Sequence, residues 1–455
     1  MAIGMAWSVG CVQDVQQRPS VRADASEDAE SDAQIDLTPD PCAEASAPPL
    51  LCTESDCAKY VLPSPVSSSA ESISARFGAS VAIHGDTLVV GAPGAQSVYV
   101  YQWNAESDEW ELRHTISDEG ARAWFPEDAS PGEHFGSRVA LNDKWLAIAE
   151  PDRTRALEAS IYNETGHVYV GSTSSLGSSP LTAIKNPDFA FPQSFGSSIA
   201  LSDSNLYIGF SRRNLINRDE FGEVRRYTLS EDSEIITASN TRTLPIEDVQ
   251  FRRAFGAQLA VSGELVAVSS YAHDVDPGDG GEVVQDAGMV TLYGTDTVAL
   301  TDEPPKTDAL FGFSTAFGDG FFVSGSPSKK DQGVVGFFRH EGESLTPVNV
   351  FREGVQSLGF SVAAHGPLAV AGDPGADGKK GSVTLFSNIL CEGQMSESTL
   401  KASEVFESSD PAIDLKEYGY AVAQSARWVV VGAPGSNRDQ GVVHVIRMDD
   451  GVLGN

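Results

Sequence analysis

Few residues in this sequence combine the type and spacing that catalysis or metal binding demands. The eight histidines are His84, His114, His134, His167, His273, His340, His365 and His444, and no two stand two or four residues apart. None can therefore grip a metal in pairs from one strand or one helical turn. No Gly-x-Ser-x-Gly elbow or phosphate-cradling Gly-Lys-Ser/Thr loop occurs. Carboxylates are so abundant that no pair stands out as the acid and base of a glycosidase. One acidic loop, Asp274-Val275-Asp276-Pro277-Gly278-Asp279, alternates oxygens around a glycine turn. It lacks the twelve-residue spacing ending in Glu that a helical calcium loop uses. No cofactor is expected, with calcium at Asp274, Asp276 and Asp279 as the one alternative.

The cysteines speak of compartment. They are Cys11, Cys42, Cys52, Cys57 and Cys391. Ser8-Val9-Gly10-Cys11 looks like the end of a bacterial lipoprotein signal, although the basic start, the long apolar centre and the usual Leu are missing. Lipidation at Cys11 leaves an even four, which suits an oxidising compartment. Two disulfides among Cys42, Cys52, Cys57 and Cys391 are expected, with three connectivities open. Localisation is expected to be secreted or at the outer cell surface, with contact to membrane only through a lipid anchor. The net charge is −33, which opposes contact with nucleic acid or anionic lipid.

These residues need elements to position them, and the elements come as a repeat. Its clearest copy opens at Phe77-Gly78, passes a turn at His84-Gly85-Asp86, reaches Gly91-Ala92-Pro93 and continues into Val98-Tyr99-Val100-Tyr101. Further openings are Phe135-Gly136, Phe195-Gly196, Phe255-Gly256, Phe311-Gly312, Leu358-Gly359 and Tyr418-Gly419, spaced by 58, 60, 60, 56, 47 and 60 residues. Each repeat reads as four short strands, in the first copy Ser80–Ile83, Thr87–Gly91, Val98–Trp103 and Trp110–Ile116. Seven copies of four antiparallel strands predict an all-β fold, a seven-bladed β-propeller of four-stranded blades. The last repeat stops after its third strand, Gly441–Arg447. The strand-like run Lys59–Pro63 is expected to supply the fourth, with Pro63 tolerable on an outer edge. Cys57 would then begin that strand and Cys391 would lie in the neighbouring blade, so that a bridge between the two regions would lock the ring.

The domain plan is therefore a truncated signal over 1–11, a tether over 12–57, and a propeller over 58–449 whose closing strand falls at about 58–66. From Ala23 to Cys57 there are ten acidic residues and no Lys or Arg, a composition that cannot offset its own ordering entropy.

Phe77-Gly78 with Gly91-Ala92-Pro93, and Tyr418-Gly419 with Gly432-Ala433-Pro434, resemble the FG-GAP repeats of integrin α-subunits and bacterial surface proteins. The pattern loosens at Gly325-Ser326-Pro327, Gly372-Asp373-Pro374 and Ala149-Glu150-Pro151, and loses its Pro in the third and fourth repeats. The resemblance implies a propeller for adhesion or protein recognition rather than catalysis. Integrin-type calcium loops between the first two strands are not carried over, because that link is a tight turn in every repeat.

In a four-stranded blade the links after the second and fourth strands leave on one face. Here those links gather Arg153, Arg155, Arg212, Arg213, Arg252 and Arg253 with Trp124 and Phe125, all around the second to fourth blades. Arg and aromatic side chains are enriched at binding hot spots. The expectation is a monomeric, non-enzymatic module that recognises a protein or glycan there. The alternatives are an extracellular polysaccharide-acting enzyme of sialidase or lyase type, and a purely structural surface protein.

Overall fold

The computed structural model describes residues 60–448 apart from several links, the longest of them 119–133, 212–221 and 402–413. The described residues form seven four-stranded antiparallel sheets and one small hairpin. In the first blade Ser80–His84, Thr87–Ala92, Ser97–Asn104 and Glu109–Ser117 follow in spatial and sequence order. The first strands of successive blades pack against one another, and that of the seventh packs back on that of the first, so the ring closes. Val61–Pro63 pairs with Val442–His444 as the outer strand of the seventh blade. Strand alternation lets this short segment serve two wedges: Val61 packs between the sixth and seventh blades, while Tyr60 and Leu62 pack between the seventh and first.

The core is a ring of seven wedges, each filled from two adjacent blades. Each wedge holds one of Phe77, Phe135, Phe195, Phe255, Phe311, Leu358 and Tyr418. All seven are at most 3% exposed. A planar ring fills the gap between two twisted sheets better than a branched aliphatic side chain, which explains the repeated aromatic.

The glycines of the motif follow from how closely the blades approach. A Cβ on Gly91 would lie 2.1 Å from the carbonyl oxygen of Gly136 in the next blade, and Gly136 has φ +86. The same approach recurs at Gly209, Gly325, Gly372 and Gly432. A serine hydroxyl ties the joint together. Ser80 Oγ donates to Gly136 O at 2.7 Å, Ser198 Oγ to Gly256 O at 2.6 Å, Ser314 Oγ to Gly359 O at 2.8 Å and Ser361 Oγ to Gly419 O at 2.8 Å. The fourth blade swaps the parts. Gln258 stands where the serine would be, Ser269 stands where the glycine would be, and Ser269 Oγ donates to Gly312 O at 2.5 Å.

Candidate functional site

Because each blade is antiparallel in sequence order, the links between first and second strands and between third and fourth leave on one face. The links between second and third strands, and from each blade to the next, leave on the other. Residues on this second face can act together without any break in the sheets.

Trp124, Phe125, Arg153, Arg212, Arg213, Arg252 and Arg253 lie outside the described residues, as do Asp279, Cys11, Cys42, Cys52 and Cys57. The backbone of Arg155 opens a hairpin, Arg155–Leu157 against Ser160–Tyr162, inside the long link of the second blade. Asp274 belongs to a bracing turn. Its Oδ1 accepts the Asp286 backbone N–H at 2.9 Å, beside a paired bridge between Val275 and Val284. Among the described residues no three His, Cys, Asp or Glu side chains gather as a metal site.

Two buried polar pairs stand near the same face. Tyr169 donates its hydroxyl to Glu150 Oε2 at 3.2 Å, and the His167 ring stacks against Tyr169. Tyr418 and His444 meet at 2.9 Å between phenol oxygen and Nδ1. Burial pushes the Tyr418 phenol well above its usual range. Glu150, His167, Tyr418 and His444 are all at most 3% exposed, so these pairs brace the interior rather than meet a ligand.

The second face does carry one continuous feature at its inner rim. Residues two places after each repeat's opening position are Ala79, Ser137, Ser197 and Ala257 in the first four blades, but Phe313, Phe360 and Tyr420 in the last three. These three partly exposed rings touch in series, with centroids 5.1 Å apart for Phe313–Phe360 and 4.9 Å for Phe360–Tyr420. Tyr271, which replaces the motif proline in the fourth blade, adds a fourth ring 5.2 Å from Phe313. The far end is capped by Arg76, whose guanidinium lies 5.3 Å from the centre of the Tyr420 ring and 3.2 Å from Glu417 Oε2. Arg76 and Glu417 precede the opening positions of the first and seventh blades, both with positive φ (52 and 63). That conformation is costly for side chains with a Cβ, and at these two positions it accompanies an ion pair that crosses the seam on this rim.

The arc escapes a reading that looks for Arg and aromatics in long links, because its rings sit in the repeat itself. Alignment of the third position of each repeat exposes it: small in four blades, aromatic in three. An arc of adjacent rings, flat, apolar and half-open to solvent, is suited to stack against a ligand with apolar faces and polar edges.

Residues 69–101 match the FG-GAP repeat family. No curated protein matches the sequence significantly. Similar solved structures include hydrazine synthase from Kuenenia stuttgartiensis, at 10% identity over 83% of this chain and 96% of that one, with a TM-score of 0.49. The mitotic checkpoint complex matches at 11% identity over 89% of this chain and 97% of that one, TM-score 0.49. A hypothetical selenium-binding protein from Sulfolobus tokodaii matches at 10% identity over 70% and 76%, TM-score 0.42. At these identities and scores nothing about ligand or reaction passes from those proteins to this one. The family match falls on the first of seven repeats whose opening residues fill equivalent wedges, so the chain carries an FG-GAP repeat over residues 69–101 within a seven-bladed β-propeller.

Proposed function

We propose that this FG-GAP propeller is a non-enzymatic recognition module, and that its ligand is a glycan bound at the inner rim of the face carrying the second-to-third-strand links. The observation that carries this reading is the run of touching, partly exposed rings Tyr271, Phe313, Phe360 and Tyr420, ended by Arg76. Saccharide rings have apolar C–H faces and hydroxyl edges. Aromatic faces take up the first, and the Arg76–Glu417 pair offers donors and acceptors to the second. A rigid sheet scaffold holds the rings in place before binding, so little ordering entropy is lost when a ligand arrives.

Export belongs to the same reading. It is supported by the small residues before Cys11 and by the cysteine arithmetic. Cys391 is buried in the link between the third and fourth strands of the sixth blade, and we take it as one end of a disulfide. Every other cysteine of the chain lies at or before Cys57. The chain enters its closing strand at Tyr60 on the face where the Cys391 link emerges. The proposed bridge therefore joins the sixth blade to the segment ahead of the closing strand, in a compartment that permits disulfides.

A glycan array probed with the full chain tests the central reading. Saturable binding to defined saccharides is expected, and it should fall when Phe313, Phe360 and Tyr420 are replaced together by Ala. Loss of about 0.5–1.5 kcal/mol per ring is the usual scale for aromatic contacts. An array without any specific signal, while a protein partner is captured at this rim, would replace the glycan with a protein ligand.

A further inference from the structure

The fifth blade carries a second site on the same face. Described residues there line a small, solvent-open pocket with a volume of about 20 Å3. The polar residues lining it are Lys306, Ser326, Ser328, Gln332 and Arg352, with no carboxylate among them. This is a marked local reversal in a chain of 31 basic and 64 acidic residues. Elsewhere the described cations tend to neutralise acids: Arg76 pairs with Glu417, Arg225 with Glu223, and Lys416 with Asp414. Neither Lys306 nor Arg352 makes an ion pair among the described residues. Both are exposed, whereas Ser326 and Ser328 are 4% and 8% exposed, so two mobile cations hang over a wall that carries fixed hydroxyl groups.

We propose that this pocket binds a tetrahedral oxyanion, a sulfate or phosphate group. A guanidinium offers a planar fork that matches two oxygens of such a group, an ammonium adds a point charge, and the hydroxyls and amide of the wall supply further donors. Two like charges facing one cavity repel each other until an anion fills it. In a strongly acidic protein, two cations left without acidic partners and converging on one pocket point to an external counter-charge. The pocket is small and open, so the anion would sit at its mouth and whatever bears it would lie in solvent. The site stands on its own geometry and does not depend on the glycan reading of the rim.

Titration calorimetry at low ionic strength tests this with sodium sulfate, sodium phosphate, glucose 6-sulfate and glucose 6-phosphate. The full chain is compared with its Lys306→Ala/Arg352→Ala variant and with a Lys306→Gln/Arg352→Gln variant that keeps side-chain length. Wild type is expected to bind with one site per chain, and each variant to bind at least about tenfold more weakly, with binding weakened by added sodium chloride. Tighter binding of the sugar esters than of the inorganic ions assigns the source as a modified saccharide. Equal binding assigns it as the free ion, and either result supports the pocket. Absence of saturable binding in wild type, or unchanged affinity in both variants with unchanged Tm, would overturn it.

Discussion

At five of the seven blade joints a glycine carbonyl accepts from a serine hydroxyl, and one added methyl is enough to spoil the close approach. Gly91→Ala would push a methyl to 2.1 Å from Gly136 O. Backbone must then shift, and overpacking of this kind costs about 1–3 kcal/mol. Gly85→Ala is the matched control. Unlike Gly91 it has positive φ (54), but it meets nothing within 4 Å, so only the backbone term of about 1 kcal/mol applies. Urea midpoints of the two variants should separate by this difference. Buried phenols give a second signature at this scale. Burial raises the pKa of Tyr99, Tyr101, Tyr227 and Tyr418 above the ordinary phenol value of about 10. The unfolded chain ionises these groups first, so their stabilising effect is complete below about pH 10 and is lost as pH rises above it. Thermal scans from pH 8 to 11 should show a flat Tm followed by a fall that begins near the top of that window. Of these residue-scale features, Phe77-Gly78 and Gly91-Ala92-Pro93 were legible because they recur at fixed offsets. The exchange of Gln258 and Ser269 was not, because it conserves a contact between blades rather than a residue at a position.

Elements were legible where the repeat and the strand period agreed. The observed strands of the first blade match the sequence reading to within about two residues at each end, the ordinary uncertainty of strand limits. What alternation could not reveal is the hairpin Arg155–Leu157/Ser160–Tyr162, since long polar links carry no burial signal. The closing strand is only three residues long, yet Tyr60 joins Trp103 and Trp428 with ring centroids 5.1 and 5.7 Å away, and Trp110 extends the cluster. Arg427 and Arg447 lie over Trp428, and its indole donates to Asp86 Oδ1 at 3.0 Å. So short a strand holds the ring through this aromatic seal and, on our reading, through the Cys391 bridge. Two variants separate these contributions. A chain beginning at Ser64 should lose both and show a lower Tm with less cooperative unfolding. Full-length chain treated with reductant should lose only the bridge, about 2–4 kcal/mol in the chain-entropy account, while Cys391→Ser should no longer respond to reductant. An equal Tm for oxidised and reduced protein would show that the seal alone closes the ring.

The described blades form a closed ring whose two halves differ at the inner rim of one face. Four blades present small residues there and three present rings, so the fold is nearly symmetric while this rim is not. Such asymmetry has no role in packing the wedges, which are already filled by the opening residues. On the proposed reading it marks where a ligand touches part of the ring. The sequence reading placed a site on this face but drew it from Arg-rich links around the second to fourth blades, whereas the described rings lie on the fourth to seventh. Repeat alignment at Ala79, Ser137, Ser197, Ala257, Phe313, Phe360 and Tyr420 carries the sharper signal, since every position there has the same scaffold and differs only in what it offers to solvent. The most direct test takes the strongest saccharide from the array and measures its affinity for three proteins: wild type, the Phe313→Ala/Phe360→Ala/Tyr420→Ala variant, and Leu112→Ala, an exposed apolar side chain of the first blade's outer strand, away from the rim. The account predicts a loss of at least about tenfold for the rim variant at unchanged Tm, and no change for Leu112→Ala. Equal affinity for wild type and the rim variant would contradict it.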